Sequence, residues 1–415
     1  INPNKSYPIH GDSSQRGYEA QSRSKVYVKL EKDLDSIMWG DFVTDGSTIN
    51  EDVTRVQRSL TGANLISKRG ASELQVFVSQ LDEERVVEKI RGKGVALNYK
   101  LTSVPLVPNS ETIEIITVSR DNPGIVLNTK ALTRFGDYTL DSVTGELSFS
   151  ETVPTSDANL NPVQIRASYD VEATASVDDY TVAGVRAKYA IKPDLKVGMS
   201  YTVDQHKTKG FEVYGATVDY KSDEGLIARG SVGQYKPMDT TKKTGVAGRL
   251  YVSKEWEDKS TTSIALGRAT KGFSNAAAGI AEEREELRIK HDLKVYQGVG
   301  AEIEALHSKN LATNDTERSL GLTSNMKVKD WTVKGGVRHI EQSKSTGDES
   351  FQTFIVGAKK AVTVVGRNGS VEGEYEQDFN STQRRRMALT ADMEVHDKVK
   401  VYARGERINS LSGWT

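Results

Sequence analysis

Of the side chains able to carry acid–base or metal chemistry, the six histidines, His10, His206, His291, His307, His339 and His396, fall mostly in segments that read as turns and loops. None stands in a His-x-His or His-Glu-x-x-His spacing, so no pair is set on one face of an element to grip a metal. The chain has no cysteine, which removes disulfide frameworks, thiolate metal sites and thiol nucleophiles together. A hydrolase would need a Ser or Thr beside a histidine at a strand rim, and nothing in the order of residues favours that meeting. Gly298-Val299-Gly300 has half the spacing of a dinucleotide loop, but it lies in a strand pattern without the following helix. Asp33-Leu34-Asp35 opens like a calcium loop, yet Ile37 and Met38 stand where the next oxygen ligand and the turn glycine belong. The expectation is a protein that is not an enzyme and takes no cofactor or metal.

What the charged residues do show is alternation. Arg186, Lys188, Lys196, Arg229 and Arg249 form an early basic set. Glu302 and Glu304 follow, then Lys334 and Arg338, then Glu372, Glu374 and Glu376 near Asp392 and Glu394. All sit opposite apolar neighbours in strand-like runs and are expected to point into a water-filled lumen. Rings of one sign there would select ions or polar solutes by charge. The plainer reading is that they solvate a wet wall or pair across strands.

The elements that must position them run from about Tyr180 to Ser410, where apolar and polar residues alternate with a period of two. Leu195, Val197, Met199, Tyr201 and Val203 share one face of such a strand, and Lys196, Gly198, Ser200, Thr202 and Asp204 the other. Tight turns are expected at Lys192-Pro193-Asp194, Lys221 to Gly225, Glu255 to Lys259, His291-Asp292, Lys329-Asp330, Arg367-Asn368-Gly369 and His396-Asp397-Lys398. Longer loops are expected at Asp204 to Gly210, Lys236 to Thr244, Thr270 to Glu285, His307 to Glu317, Gln342 to Ser350 and Asp378 to Arg385. Short turns at one end, longer loops at the other and strands of roughly 10 residues are what a transmembrane barrel requires, with about fourteen strands here. Backbone groups in hydrocarbon all need partners, so a spanning sheet must close on itself. On that assignment Val299, Ala301, Ile303, Ala305, Leu320, Leu322, Met326, Val328, Trp331, Val333, Val337, Met387, Leu389, Ala391, Met393 and Val395 face lipid.

Composition is compatible with this. The 415 residues suffice for one large barrel plus an inserted module. A net charge of −1 lacks the basic surplus that phosphate neutralisation needs, which excludes a nucleic-acid partner. No apolar run approaches the ~18 residues of a spanning helix. The mean hydropathy of −0.51 suits a soluble chain, but strands with one apolar face dilute hydropathy in the same way. The aromatic content of 7% favours the soluble rival, although Tyr220, Trp256 and Trp331 lie next to tight turns, where an interfacial girdle belongs.

In chain order, 1–24 is a polar, irregular lead-in, and the absence of an initiator Met before Ile1 is expected of a processed protein or a piece of a longer one. Residues 25–93 hold N-terminal hairpins, with Thr54 to Ala63 and Glu73 to Leu81 as one pair and Glu83 to Arg91 open to a helical reading. From 94 to 172 short strands bounded by turns every 8 to 12 positions suggest an Ig-like β-sandwich inserted at the barrel mouth or inside it. Residues 173–415 return to barrel hairpins. Four N-terminal strands would bring the total to about eighteen, a lumen wide enough for water or a plug. Two strands break the alternation: Phe351 to Val364 carries apolar residues on both faces, through a bulge or burial on both sides, and Thr262-Ile264-Leu266 ends in Arg268.

Gly11-Asp12-Ser13-Ser14, Trp39-Gly40-Asp41-Phe42, Ser110-Glu111, Asp137-Tyr138 and Thr144-Gly145-Glu146-Leu147-Ser148-Phe149 are similar to segments of large Gram-negative cell-surface proteins. In those proteins, β-sandwich modules lead into an outer-membrane barrel. The likeness covers roughly residues 7 to 170 and implies an all-β chain in the bacterial outer membrane with loops at the cell surface. Outer-membrane lipid and other envelope proteins are the partners it implies. The favoured function is a porin-like or secretion conduit, gated or plugged by its sandwich. A structural anchor for adhesive modules, or a soluble elongated surface protein, are the alternatives.

Overall fold

The computed structural model describes residues 27–44, 51–120, 124–157, 161–172, 179–278, 280, 283–296, 298–345, 347–396 and 399–409. The expected lead-in, 1–24, lies outside them. The chain is all-β. Strands β1 (Val28–Lys32), β2 (Asp35–Val43), β3 (Ser59–Arg69) and β4 (Ser72–Leu81) are successive antiparallel neighbours. A separate unit follows, made of β5 (Glu84–Arg91), β6 (Tyr99–Lys100), β7 (Thr112–Val118), β8 (Val126–Ala131), β9 (Tyr138–Leu140), β10 (Glu146–Phe149) and β11 (Val163–Val171).

The chain then rejoins the first sheet, because β12 (Tyr180–Lys192) pairs with β4. From there each strand pairs with the next: β13 (Leu195–Asp204), β14 (Phe211–Lys221), β15 (Leu226–Pro237), β16 (Gly245–Glu255), β17 (Thr261–Ala269), β18 (Arg284–Tyr296), β19 (Val299–Asn310), β20 (Thr316–Val328), β21 (Trp331–Lys344), β22 (Gly347–Val364), β23 (Arg367–Asp378), β24 (Arg385–His396) and β25 (Val399–Asn409). Among the described residues the result is one 18-stranded antiparallel meander, with the inserted unit between β4 and β12. Among the described residues no pairing joins β1 to β25.

The period-two pattern becomes two unlike faces. On one, apolar side chains form a ladder across strands: Ile303 pairs with Leu322, Leu322 with Val337 and Val337 with Phe354. Met199, Leu322, Val337 and Leu389 on this face are 72%, 48%, 49% and 60% exposed. On the other face polar and charged residues are buried, among them Ser231, Glu286, Arg338, Glu376 and Arg386. This inverts the usual rule that charge is left in water and Leu is taken out of it.

The inserted unit has its own core. A four-stranded sheet, β5-β11-β7-β8, and a three-stranded one, β6-β10-β9, share a cluster that includes Ile113, Ile165 and Tyr169 from the first and Tyr99, Tyr138 and Leu147 from the second. The Glu84–Arg91 segment belongs here, not to the barrel hairpins as its position before residue 94 suggests, and it is a strand rather than helical turns. It pairs along its length with Val163–Val171 and turns Val86 and Ile90 into the core.

The unit reaches opposite parts of the meander. Asn109 Nδ2 donates to Asp41 Oδ2 of β2 at 3.2 Å, and Arg120 Nη1 lies 4.0 Å from Glu374 Oε1 of β23. In a flat sheet the spacings between β2 and β23 would span about 65–70 Å at roughly 4.8 Å each. A unit of about 90 residues has a radius of gyration near 12 Å. The sheet must therefore curve around the insert, with its charged face inward.

Several local expectations shift. His291 and Asp292 lie inside β18, whose turn comes at Gly298 (φ +79°), and the turn expected at Arg367 to Gly369 is Val365-Gly366, with φ +51° and +73°. Those positive dihedrals favour glycine, and the chain puts one in each turn. The loops expected at His307 and Gln342 shorten because β19 runs on to Asn310 and β21 to Lys344. Consequently His291, His307 and His396 are strand residues rather than turn or loop ones. Thr54 to Arg58 is not strand, since β3 begins at Ser59. The β22 strand keeps register with both neighbours, so no bulge explains its mixed pattern. Phe351 and Ile355 are instead buried on the inner face, Phe351 against Ile340 and under the Arg384 guanidinium.

Candidate functional site

The inner face carries cross-strand ion pairs. Of the residues singled out from the sequence, Arg249 lies 3.1 Å from Glu286, Lys334 2.9 Å from Glu374 and Arg338 2.9 Å from Glu376, with the Lys334 side chain half-buried and the other five buried. Glu302 pairs with Lys290 at 2.9 Å and Arg229 with Asp219 at 3.1 Å at half-buried positions, and Glu372 with Lys359 at 3.3 Å at an exposed one. Glu304 is held by Arg288, and Asp392 by the Ser370 hydroxyl. Arg186 reaches to 3.9 Å from Asp52. Lys188 is half-buried, while Lys196 and Glu394 are exposed near the short-turn ends of their strands. The structure thus brings Lys334, Arg338, Glu374 and Glu376 into one cluster and leaves the early basic set spread over separate pairs. Asp35 of the calcium-like turn is engaged by Arg69 at 2.7 Å.

The residues that sequence reasoning missed form a strap, 51–58, laid between the inner face and the insert. Val53 is wholly buried, and Asp52, Thr54, Arg55, Val56 and Arg58 nearly so. The strap is anchored by small polar side chains of the sheet: Val53 N donates to Ser231 Oγ at 2.9 Å, and Thr54 Oγ1 lies 2.6 Å from Ser200 Oγ. From the loop after β17, Asn275 Nδ2 donates to Val53 O at 2.9 Å and Arg55 O at 3.0 Å. An apolar seal surrounds this joint, with Val53, Val56, Val213, Tyr235, Ala247, Phe273 and Ile280 in one cluster.

The strap also holds the insert. Arg55 pairs with Glu114 of β7, which Arg166 Nε of β11 also donates to at 2.7 Å. Arg58 donates to Asp204 Oδ2 at 2.6 Å, to Asp170 Oδ1 at 3.0 Å and to Tyr180 Oη at 2.9 Å, so one guanidinium links β13, β11 and β12. Burial alone would lower the Arg58 pKa, but Asp170, Tyr180 and Asp204 outweigh it and hold the charge more firmly than in water. Burial raises the Glu51 pKa against the opposing pull of Arg249 and Arg229.

On the far wall, Arg120 of the insert approaches Glu374 and Glu376 at 4.0 and 3.9 Å, and Glu376 also accepts from Arg338 at 2.9 Å and from Thr353 Oγ1 at 2.8 Å. Among the described residues the insert is tied to β2 and β3 through Asn109, to the strap through Arg55 and Arg58, to β23 through Arg120, and to the loops after β13 and β17 through Glu84 with Lys209 and Arg166 with Ala276 O. The one sequence sign of the strap is that Arg55 and Arg58 alternate with Val53 and Val56 in a stretch otherwise resembling a strand.

No protein-family model matches the chain, and no curated protein does. Among solved structures it is similar to the P pilus usher (PapC) translocation pore. That similarity has a TM-score of 0.40 at 10% identity and covers 94% of this chain and 77% of the other.

Proposed function

We propose that this chain is a non-enzymatic outer-membrane β-barrel whose lumen serves as a conduit, a pore or export channel, closed by the 84–172 unit acting as an Ig-like plug. The observation that carries this reading is the inverted burial of the meander. Leu, Val, Ile and Met side chains stand exposed on the convex face, and ion pairs are buried on the concave face around the insert. A contiguous apolar face is unusual on a monomeric soluble protein, and hydrocarbon is the solvent that suits it. Trp256 and Trp331, exposed beside short turns, suit one interfacial girdle. On this reading Arg186, Lys188, Arg229, Arg249, Glu302, Glu304, Lys334, Arg338, Glu372, Glu374, Glu376 and Asp392 line the lumen, most of them engaged by side chains of neighbouring strands, the strap or the insert.

The decisive experiment is conductance of the purified chain in planar lipid bilayers, before and after the insert is loosened by Arg120→Ala combined with Arg55→Ala. The expected result is small, rare openings for the parent and large, long ones for the variant. Failure of either protein to enter bilayers overturns the membrane reading. A structural anchor is the second reading, favoured by the several separate attachments of the insert. It predicts that the variant enters bilayers and stays closed.

A further inference from the structure

Two adjoining cavities open where the loops after β13, β15 and β17 meet the first strand of the insert. Lys209, Tyr235 and Ser274 line both. The inner one, about 180 Å³, is also lined by Arg85 and His206. The outer one, about 380 Å³, is bordered by Lys242, Lys243 and Lys271.

Asp204 also lines the inner wall but is held by Arg58, and one buried donor there lacks an acceptor. His206 Nδ1 accepts from Thr208 N at 3.3 Å and Lys209 N at 3.2 Å, which in the neutral ring puts the proton on Nε2. That nitrogen is buried without a hydrogen-bond partner, in a residue only 8% exposed. The Tyr180 ring, 4.9 Å away and near perpendicular, offers at most a weak π contact. Arg85 donates to Gln57 O at 2.8 Å, and no carboxylate pairs with it among the described residues, because Asp170 and Asp204 are taken by Arg58. Burial and the neighbouring Arg58 charge lower the Arg85 pKa to about 10, a field that an anion would relieve.

The outer wall continues the same sign. Lys209 is matched by Glu84, and Lys242 lies 3.8 Å from Asp239, but Lys243 and Lys271 have no carboxylate partner among the described residues. Glu283 is the carboxylate that lines this cavity. In a chain of net charge −1 this is a local cationic surplus, backed by buried N–H groups.

We propose that the paired cavities bind a ligand bearing two phosphate groups, one set against Arg85 and His206 and the other among Lys209, Lys243 and Lys271. Phosphate supplies acceptor oxygens where the walls supply donors, and arginine and lysine are its usual partners. The inner volume has room for one such group. Because Arg85 belongs to the insert and the lysines to the sheet's loops, an occupied site bridges the two, whether or not the lumen conducts.

The test is calorimetric titration of the full chain in detergent with inorganic pyrophosphate, orthophosphate and chloride at matched ionic strength. Pyrophosphate is expected to bind at least tenfold more tightly than orthophosphate. Arg85→Gln, and separately Lys243→Ala with Lys271→Ala, should each weaken it at least tenfold while heat-modifiable migration is retained. Should Arg85→Gln fail to fold, the exposed lysine pair decides alone. A second arm offers detergent micelles containing a diphosphorylated glycolipid or its dephosphorylated form. Saturation by pyrophosphate identifies a free ligand, and a response confined to the phosphorylated glycolipid identifies a lipid headgroup. Equal heats with chloride, or unchanged binding in the lysine variant, overturn the proposal in favour of an ionic atmosphere.

Discussion

Arg58 Nη1 donates to Asp204 Oδ2 at 2.6 Å across 146 positions of chain, and its other terminal nitrogen binds Asp170 of the insert at 3.0 Å. One buried cation therefore neutralises two buried carboxylates that belong to different parts of the fold. Replacing it by methionine leaves both without their ion-pair partner, a loss of about 3–5 kcal/mol. Denaturant unfolding monitored by protease cleavage within 84–172 should show the insert released first. Adding Asp170→Leu and Asp204→Leu to the Arg58→Met variant should recover most of the loss, and no recovery would mean that the pairing is not what holds the insert.

The strap is seated by steric fit as well as charge. A Cβ at Gly233 would lie 2.4 Å from Thr54 Cγ2 and 3.2 Å from Val53 Cγ2. Gly233→Ala should thus destabilise by about 1–3 kcal/mol through overpacking. Thr54→Ser removes that methyl and keeps the hydroxyl facing Ser200, so the double variant should regain stability in a thermal melt. Additive losses would place the clash elsewhere.

The convex face gives a direct test of its solvent. Leu322 sits mid-strand in the apolar ladder, and Leu322→Arg should cost ~2–4 kcal/mol when unfolding is measured from lipid vesicles. Thr323→Arg, one position along and on the other face, should cost far less. If Leu322→Arg is neutral and the protein stays dispersed without detergent, the membrane reading falls.

Within the insert, the turn after β9 has a pH signature. Asp141 accepts from Val143 N at 2.9 Å and from Thr144 Oγ1 at 2.9 Å, bonds that favour the ionised form and lower its pKa below 3.8. A depressed carboxyl contributes stability that is present above the unfolded pKa and lost as pH falls through the folded one. Asp141→Ala should therefore weaken amide-exchange protection of the β9–β10 hairpin at pH 7, and the difference from the parent should shrink toward pH 3. A difference that persists in acid would show that the turn depends on shape alone.

The alternation of residues such as Leu320, Leu322 and Met326 with polar neighbours was enough to set the strands, their order and the unlike faces, because a period of two leaves a sheet no other way to sort its side chains. Turn positions followed where proline or an Asp/Gly pair marked them, as at Lys192 to Asp194, and slipped where charged residues continued a strand, as at His291. What the order of residues could not reveal was which groups meet over long separations. Arg58 looks like one more strand charge until folding sets it between Asp170 and Asp204, and His206 looks like a loop residue until its neighbours take Nδ1 and leave Nε2 without a partner. Those meetings depend on a curved sheet closing around an inserted unit. Local pattern dictates each strand, but only tertiary packing decides what a buried charge will face.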